Sequence, residues 1–292
     1  MFSGSIVALI TPFTQSGQID IGALQNLVEW HIEQGTDAIC CCGTTGEAPT
    51  LSEEEKLVVM KACVDAAKKR IPVIAGTGTN CTRRSLEMTL KAKTIGVDAA
   101  LVIVPYYNRP TQLGVVAHFR EVAKAKLPMI IYHHPKRTGI AVEPRTFSMI
   151  SQIPEVIGIK EASSNISVYD QIASSTSLPM YSGDDMLTVQ MMQHGAKGVI
   201  SVIANVIPKQ WKEIIDLCKQ KNWDEALKKE KRLVSLLNTL SLEPNPQCIK
   251  YAVSHIGKCS ERIRLPLLEP SGYVKNLIEN ALLEVTSTLA PQ

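Results

Sequence analysis

The chain has 292 residues, 45% of them hydrophobic and 20% charged, which excludes a disordered chain and suits one large domain with a small appendage. A net charge of +3, with Lys and Arg clustered only at Lys68-Lys69-Arg70 and Lys228-Lys229, excludes the basic footprint of a protein that binds nucleic acid or a membrane surface. No apolar run approaches the roughly 18 residues of a membrane span, and Met1 leads into a strand-like run rather than a cleavable leader, so a soluble, cytoplasmic protein is expected.

Taken in chain order, short β-rich runs alternate with amphipathic stretches. The candidate strands are Ile6–Ile10, Ala38–Cys42, Val73–Gly76, Ala99–Val104, Met129–Tyr132, Val156–Lys160, Met180–Ser182 and Gly198–Val202. Helical patterns separate them; the clearest begins at Ser52, where Ser52-Glu53-Glu54-Glu55 forms a capping box ahead of Leu57, Val58, Cys63 and Val64. Eight strands joined by helices close a (β/α)8 TIM barrel, which takes about 250 residues. After Asn205 the alternation stops. Trp211–Lys219, Trp223–Leu240, Cys248–Ile256 and Tyr273–Thr286 read as helices, with Trp223, Leu227, Val234, Leu237 and Ser241 near one face. The expected division is a barrel carrying the active site over residues 1–221 and a small C-terminal helical segment over 222–292.

Of the eight cysteines, Cys40, Cys41 and Cys42 are consecutive in a strand pattern and cannot staple distant parts of a fold. Cys63, Cys81, Cys218, Cys248 and Cys259 show no C-x-x-C spacing. Small buried hydrophobes in a reducing compartment are expected.

In such a barrel, reactive groups sit at the C-terminal ends of strands and in the loops that follow. Lys160 closes the apolar run Val156-Ile157-Gly158-Ile159 and is expected to point into the barrel mouth. Desolvation there favours a neutral, nucleophilic amine, which attacks a keto carbonyl to give an iminium. The alternatives are a lysine paired with an acid such as Glu161, or one that snorkels to water. Gly43-Thr44-Thr45-Gly46 offers amides and hydroxyls suited to a carboxylate, or else a tight turn. Tyr132 and Tyr107 are phenols at adjacent mouth positions, able to relay protons or simply to pack. Arg137 could grip a carboxylate bidentately or serve in a surface ion pair. His133-His134 has no acid or cysteine to complete a metal set, its rings should face opposite ways, and a structural role is expected; no metal is implied. Gly76-Thr77-Gly78-Thr79-Asn80 lacks the third glycine of a phosphate loop.

Four motifs stand in order on these strands: Gly-Thr-Thr-Gly-Glu at 43–47, Pro-Tyr-Tyr-Asn-Arg-Pro at 105–110, Arg-Thr-Gly at 137–139 and Gly-Ile-Lys-Glu-Ala at 158–162. With them the chain resembles, from Gly4-Ser5-Ile6-Val7 to its final helix, the family of dihydrodipicolinate synthase and N-acetylneuraminate lyase, and its synthase branch most. The resemblance implies condensation of pyruvate with L-aspartate 4-semialdehyde to 4-hydroxy-tetrahydrodipicolinate, in diaminopimelate and lysine biosynthesis, without a cofactor. It implies a Schiff base on Lys160, pyruvate's carboxylate on Thr44 and Thr45, and a proton relay through Tyr132, Thr44 and Tyr107, the last supplied across a dimer interface. Arg137 would bind the semialdehyde's carboxylate, and backbone around Gly183 and Ile200 would complete the pocket. A homotetramer, a dimer of tight dimers, is expected. Rival readings are another pyruvate aldolase, acting on a 2-keto-3-deoxy sugar acid or 4-hydroxy-2-oxoglutarate, and a catalytically silent ligand-binding relative. Relatives usually carry Asn-Val or Asn-Ile after the strand-five tyrosine, where this chain has His133-His134. At the positions that bind inhibitory lysine in sensitive members, Asn80 and Tyr106 fit, whereas Glu53, Lys56 and Arg84 depart, so weak lysine inhibition is expected.

Overall fold

The structure, a computed structural model, describes residues 2–287. Its strands are β1 (Gly4–Ala8), β2 (Ala38–Cys41), β3 (Val73–Gly76), β4 (Ala99–Ile103), β5 (Met129–His133), β6 (Val156–Glu161), β7 (Met180–Ser182) and β8 (Gly198–Ser201). Each pairs in parallel with the next, and β1 pairs with β8, so the sheet closes into the expected barrel. The ends shift by a residue or two for local reasons. At β1 the ladder stops short of Ile10 because the Ile10 amide donates to the Asn205 side chain at 3.0 Å. At β2 it stops before Cys42, whose φ of 52° turns the chain out of the extended region.

Strand alternation sorts the side chains into two layers. Ile6, Ala8, Cys40, Ile74, Leu101, Ile130, Tyr181 and Ile200 fill the barrel interior. Val7, Ile39, Cys41, Val102, Ile131, Ile159 and Val199 face outward into the layer shared with the helices. The cysteine run follows the same rule, Cys40 inward and Cys41 outward, and every cysteine is free. The helix Glu53–Ala67 begins on the predicted capping box, with Ser52 Oγ accepting from the Glu55 amide and Glu55 accepting from the Ser52 amide.

The C-terminal helices are Trp223–Lys231, Val234–Thr239, Gln247–His255 and Gly272–Ser287. The expected single helix Trp223–Leu240 is therefore two. Arg232 and Leu233 bond back three residues, to Lys229 and Glu230, and this tighter turn resets the helical phase. Consequently the buried face is Ala226, Leu233, Leu236, Leu237 and Leu240, while Leu227 and Val234 of the predicted stripe are exposed. These helices pack into the same continuous apolar layer as the barrel helices, through Leu236, Ile249, Val253 and Ile278.

Glu230 is held in this packing with one carboxyl oxygen unpartnered, and burial, opposed by the Val189 amide, pushes its pKa from 4.5 to about 7. The folded state therefore binds a proton that the unfolded state has released between those values, and stability falls as pH rises through that window. Glu230→Gln should raise the melting temperature at pH 8 by about 2 °C and leave it unchanged at pH 4; equal effects at both pH values would refute the assignment.

Candidate active site

At the C-terminal mouth of the barrel lies a cavity of about 540 Å³, lined by residues from β1, β2, β4, β5 and β6, the loops after β7 and β8, and the C-terminal segment 237–245. Lys160 sits at its base, 6% exposed. Its Nζ stands 4.4 Å from the centroid of the Tyr132 ring, on the adjacent strand at the register Tyr132↔Lys160. No ion pair or hydrogen bond engages that nitrogen among the described residues. Gly183 makes room for the lysine, and Gly158 for the Tyr181 ring. A Cβ on Gly183 would fall 2.9 Å from Lys160 Cε, and one on Gly158 would fall 2.8 Å from the Tyr181 ring beneath.

Glu161 does not pair with Lys160, because alternation turns it to the outer face. There its Oε2 lies 2.5 Å from His133 Nδ1, and its Oε1 accepts from the Ser163 amide at 2.6 Å. The Val142 amide donates to His133 Nε2, which places the imidazole proton on Nδ1, toward Glu161. Both side chains are fully buried beside Phe147, so this pair fastens β5 to β6 one residue beyond Tyr132 and Lys160.

The loop 43–47 forms the opposite wall. Thr44 and Thr45 both line the cavity. Asn245 Nδ2 donates to Thr45 Oγ1 at 3.1 Å, which uses an oxygen lone pair and leaves the hydroxyl hydrogen free to point at a bound anion. Thr11 Oγ1 donates to the Gly46 carbonyl at 2.7 Å, and Glu47 adopts a left-handed conformation at φ 54°. Such a conformation is costly without glycine. Lys250 offsets that cost by pairing with the buried Glu47 carboxylate at 2.7 Å, and the Arg264 amide donates to its other oxygen.

Arg137 and Gly183 line the cavity as expected, and Arg137 Nη2 reaches the Asn245 carbonyl at 3.4 Å. Two expected residues do not line it. Ile200 lies in the interior layer below, and Val202 and Ile203, beyond it in the chain, face the cavity instead. Tyr107 is not beside Tyr132; it is 89% exposed with φ 70°, away from the cavity of its own chain. Tyr106 instead lines a small neighbouring cavity of about 80 Å³ with Thr44 and Tyr132. His134, for which a structural role was expected, lines the main cavity, as does Asn245, which was given no role from sequence. The signals for His134 were its place directly after a strand end and its departure from the residue that relatives usually carry there. Asn245 carried none, since its partner Thr45 is 200 residues away.

A family model described as the dihydrodipicolinate synthetase family matches residues 1–284. The 4-hydroxy-tetrahydrodipicolinate synthase of Geotalea uraniireducens is 45% identical over 270 residues, 91% of this chain and 93% of that protein. The crystal structure of dihydrodipicolinate synthase from Aquifex aeolicus superposes with a TM-score of 0.95 at 43% identity, covering 99% of this chain and 100% of that one. That of the Acinetobacter baumannii dihydrodipicolinate synthase, complexed with pyruvate, gives 0.94 at 41% identity over 98% of this chain and 99% of that one. With a matched model over nearly its whole length and relatives above 40% identity, this chain belongs to the dihydrodipicolinate synthetase family.

Proposed function

We infer that this protein condenses pyruvate with L-aspartate 4-semialdehyde to 4-hydroxy-tetrahydrodipicolinate, the entry to diaminopimelate and lysine biosynthesis. The observation that carries the reading is a buried, unengaged lysine amine at the base of a cavity, with a phenol against it and two threonines across from it. The Lys160 amine attacks the keto carbon of pyruvate and water leaves, giving an iminium that acidifies the methyl group. Loss of a methyl proton yields an enamine, whose carbon attacks the aldehyde. The amine of the joined substrate then adds to the iminium carbon and displaces Lys160 as the ring closes.

Pyruvate's carboxylate rests on Thr44 and Thr45, and Arg137 takes the carboxylate of the semialdehyde. Tyr132 and Thr44 carry protons to and from the reacting atoms. The relay is completed by Tyr107 of the partner subunit, a reading supported by the extreme exposure and left-handed backbone of Tyr107. It entails a dimer at least, and a homotetramer of two such dimers fits it. Backbone near Gly183 and Ile200 borders the pyruvate end. A barrel over residues 1–221 carries these groups, with the helical unit that begins at 222 closing one wall; the last five residues of the expected span 222–292 lie outside the described residues. A cytoplasmic location accords with the absence, among the described residues, of any helix long and apolar enough to cross a membrane.

The test is a coupled assay of the purified protein with both substrates, following NADPH consumption by the reductase that acts next. Turnover is expected. Borohydride trapping of pyruvate on Lys160 without turnover would keep the Schiff base and reject the acceptor, and failure of both would reject the reading.

Free lysine is expected to inhibit weakly. Lys56 lines the small cavity with Ala48, Pro49 and Tyr106, Glu53 is engaged by Lys91 at 3.4 Å, and Arg84 stands where sensitive members carry an acid. Like charges repel an incoming ammonium. Half-inhibition of the purified enzyme by lysine well below millimolar would overturn this.

A further inference from the structure

His134 follows directly on β5 and lines the main cavity, its ring set edge-on to Tyr132 at 5.8 Å between centroids and 65° between planes. Its carbonyl accepts from the Arg137 and Thr138 amides, which holds the residue at the start of the one-turn helix Pro135–Thr138. The side chain, by contrast, is uncommitted. Nδ1 is buried without a partner, and no hydrogen bond engages Nε2. The titratable groups that act on the ring are Arg137, Lys160, His133 and Lys136. Burial first, and these neighbours second, push its pKa down to about 4. The ring is therefore neutral near pH 7 and presents one nitrogen lone pair.

The carboxylates that line the same cavity already accept hydrogen bonds from the chain. Asp184 takes the Met186 amide at 3.0 Å, and Asp185 takes the Val202 and Ile203 amides on one oxygen at 2.8 and 2.7 Å, its other oxygen being buried without a partner. Glu243 takes Gln247 Nε2 at 3.1 Å and the Ser271 amide at 3.2 Å.

We infer that His134 is a specificity-determining residue whose neutral imidazole accepts a hydrogen bond from the ammonium group of an amino-acid aldehyde in this cavity. The inference rests on the reaction proposed above. In that acceptor the aldehyde carbon joins the enamine on Lys160, the carboxylate goes to Arg137, and the ammonium sits on the carbon beside the carboxylate. Lys160, His134 and Arg137 all line this cavity, and Lys160 and Arg137 both act on the His134 ring, so an acceptor that spans the two carries its ammonium through the cavity that the ring lines. A neutral acceptor also suits the chemistry. A carboxylate there would form a charge-assisted pair that holds the amine protonated, whereas ring closure requires the free amine.

The test compares His134→Val and His134→Gln with the wild type, using aspartate semialdehyde and succinate semialdehyde, the same aldehyde without its amine. Losing one hydrogen bond to a charged group predicts that His134→Val raises KM for aspartate semialdehyde by about 10- to 100-fold. KM for pyruvate and borohydride trapping on Lys160 should stay at wild-type levels, and the preference over succinate semialdehyde should fall by the same factor. His134→Gln, which retains an acceptor oxygen, should recover most of the loss. Unchanged KM in His134→Val, or an equal loss with both aldehydes, would overturn the assignment. A wild-type protein that traps pyruvate yet converts no aspartate semialdehyde would instead overturn the proposed reaction, and this inference with it.

Discussion

Lys160→Ala is expected to yield a folded protein that neither turns over nor forms a borohydride-stable adduct with pyruvate. The amine is the group that converts the ketone into an iminium, and its removal leaves no other lysine amine lining the cavity among the described residues. Loss of the covalent route should lower kcat by at least about 10³-fold. The fold should tolerate the change, because among the described residues the lysine head makes no hydrogen bond or ion pair, only a contact over the Tyr132 ring, and its stem lies beside Gly183. Mass spectrometry after borohydride reduction reads the adduct directly, and circular dichroism reads the fold. A pyruvate adduct that persists in the variant would show that a different amine is the nucleophile.

Lys250→Met is expected to give the largest loss of stability of any single surface-distant substitution considered, without touching the cavity. Lys250 is fully buried on the helix Gln247–His255, and its Nζ pairs with Glu47 at 2.7 Å and donates to the carbonyls of Thr11 and Arg262 at 2.5 and 3.3 Å. Burial, opposed by Glu47, holds its pKa below the usual lysine range. Removing one partner leaves the Glu47 carboxylate buried and unpaired, a cost of about 3–5 kcal/mol. The melting temperature should fall by on the order of 10 °C. The double change Glu47→Gln with Lys250→Met removes the stranded charge and should recover at least half of that loss. Because Glu47 ends the loop that holds Thr44 and Thr45, the single variant should also raise KM for pyruvate. Thermal unfolding of Lys250→Met within 1 kcal/mol of wild type, by the same conversion, would show that the pair is not holding the loop.

Much of this site was legible in the residues themselves. Lys160, Tyr132, Thr44, Thr45, Arg137 and Gly183 all stand at or just beyond strand ends, and any chain that closes this barrel must bring those ends to one rim. The His133-His134 pair was legible only in part. Alternation alone sends the two rings to opposite faces, but that one finds Glu161 and the other an empty wall of the cavity depends on what β6 and the following loop present. The depth of Ile200 and the surroundings of Tyr107 were not legible in this way. Depth within the barrel is set by strand stagger, and the surroundings of an exposed loop residue are set by what lies beyond its own chain.

The sequence by itself determined the eight strands, their order, the helix starts such as Ser52 and the identity of the reactive side chains, because each depends on periodicity or chemistry within a few neighbouring residues. Only the tertiary structure decided that the C-terminal segment builds one wall of the cavity, that Asn245 orients Thr45, and that Lys250 fixes Glu47. It also decided where the helix 223–240 breaks and hence which of its leucines are buried. These contacts join residues some two hundred positions apart. Their partners are chosen by packing between layers, which leaves no local pattern in either segment.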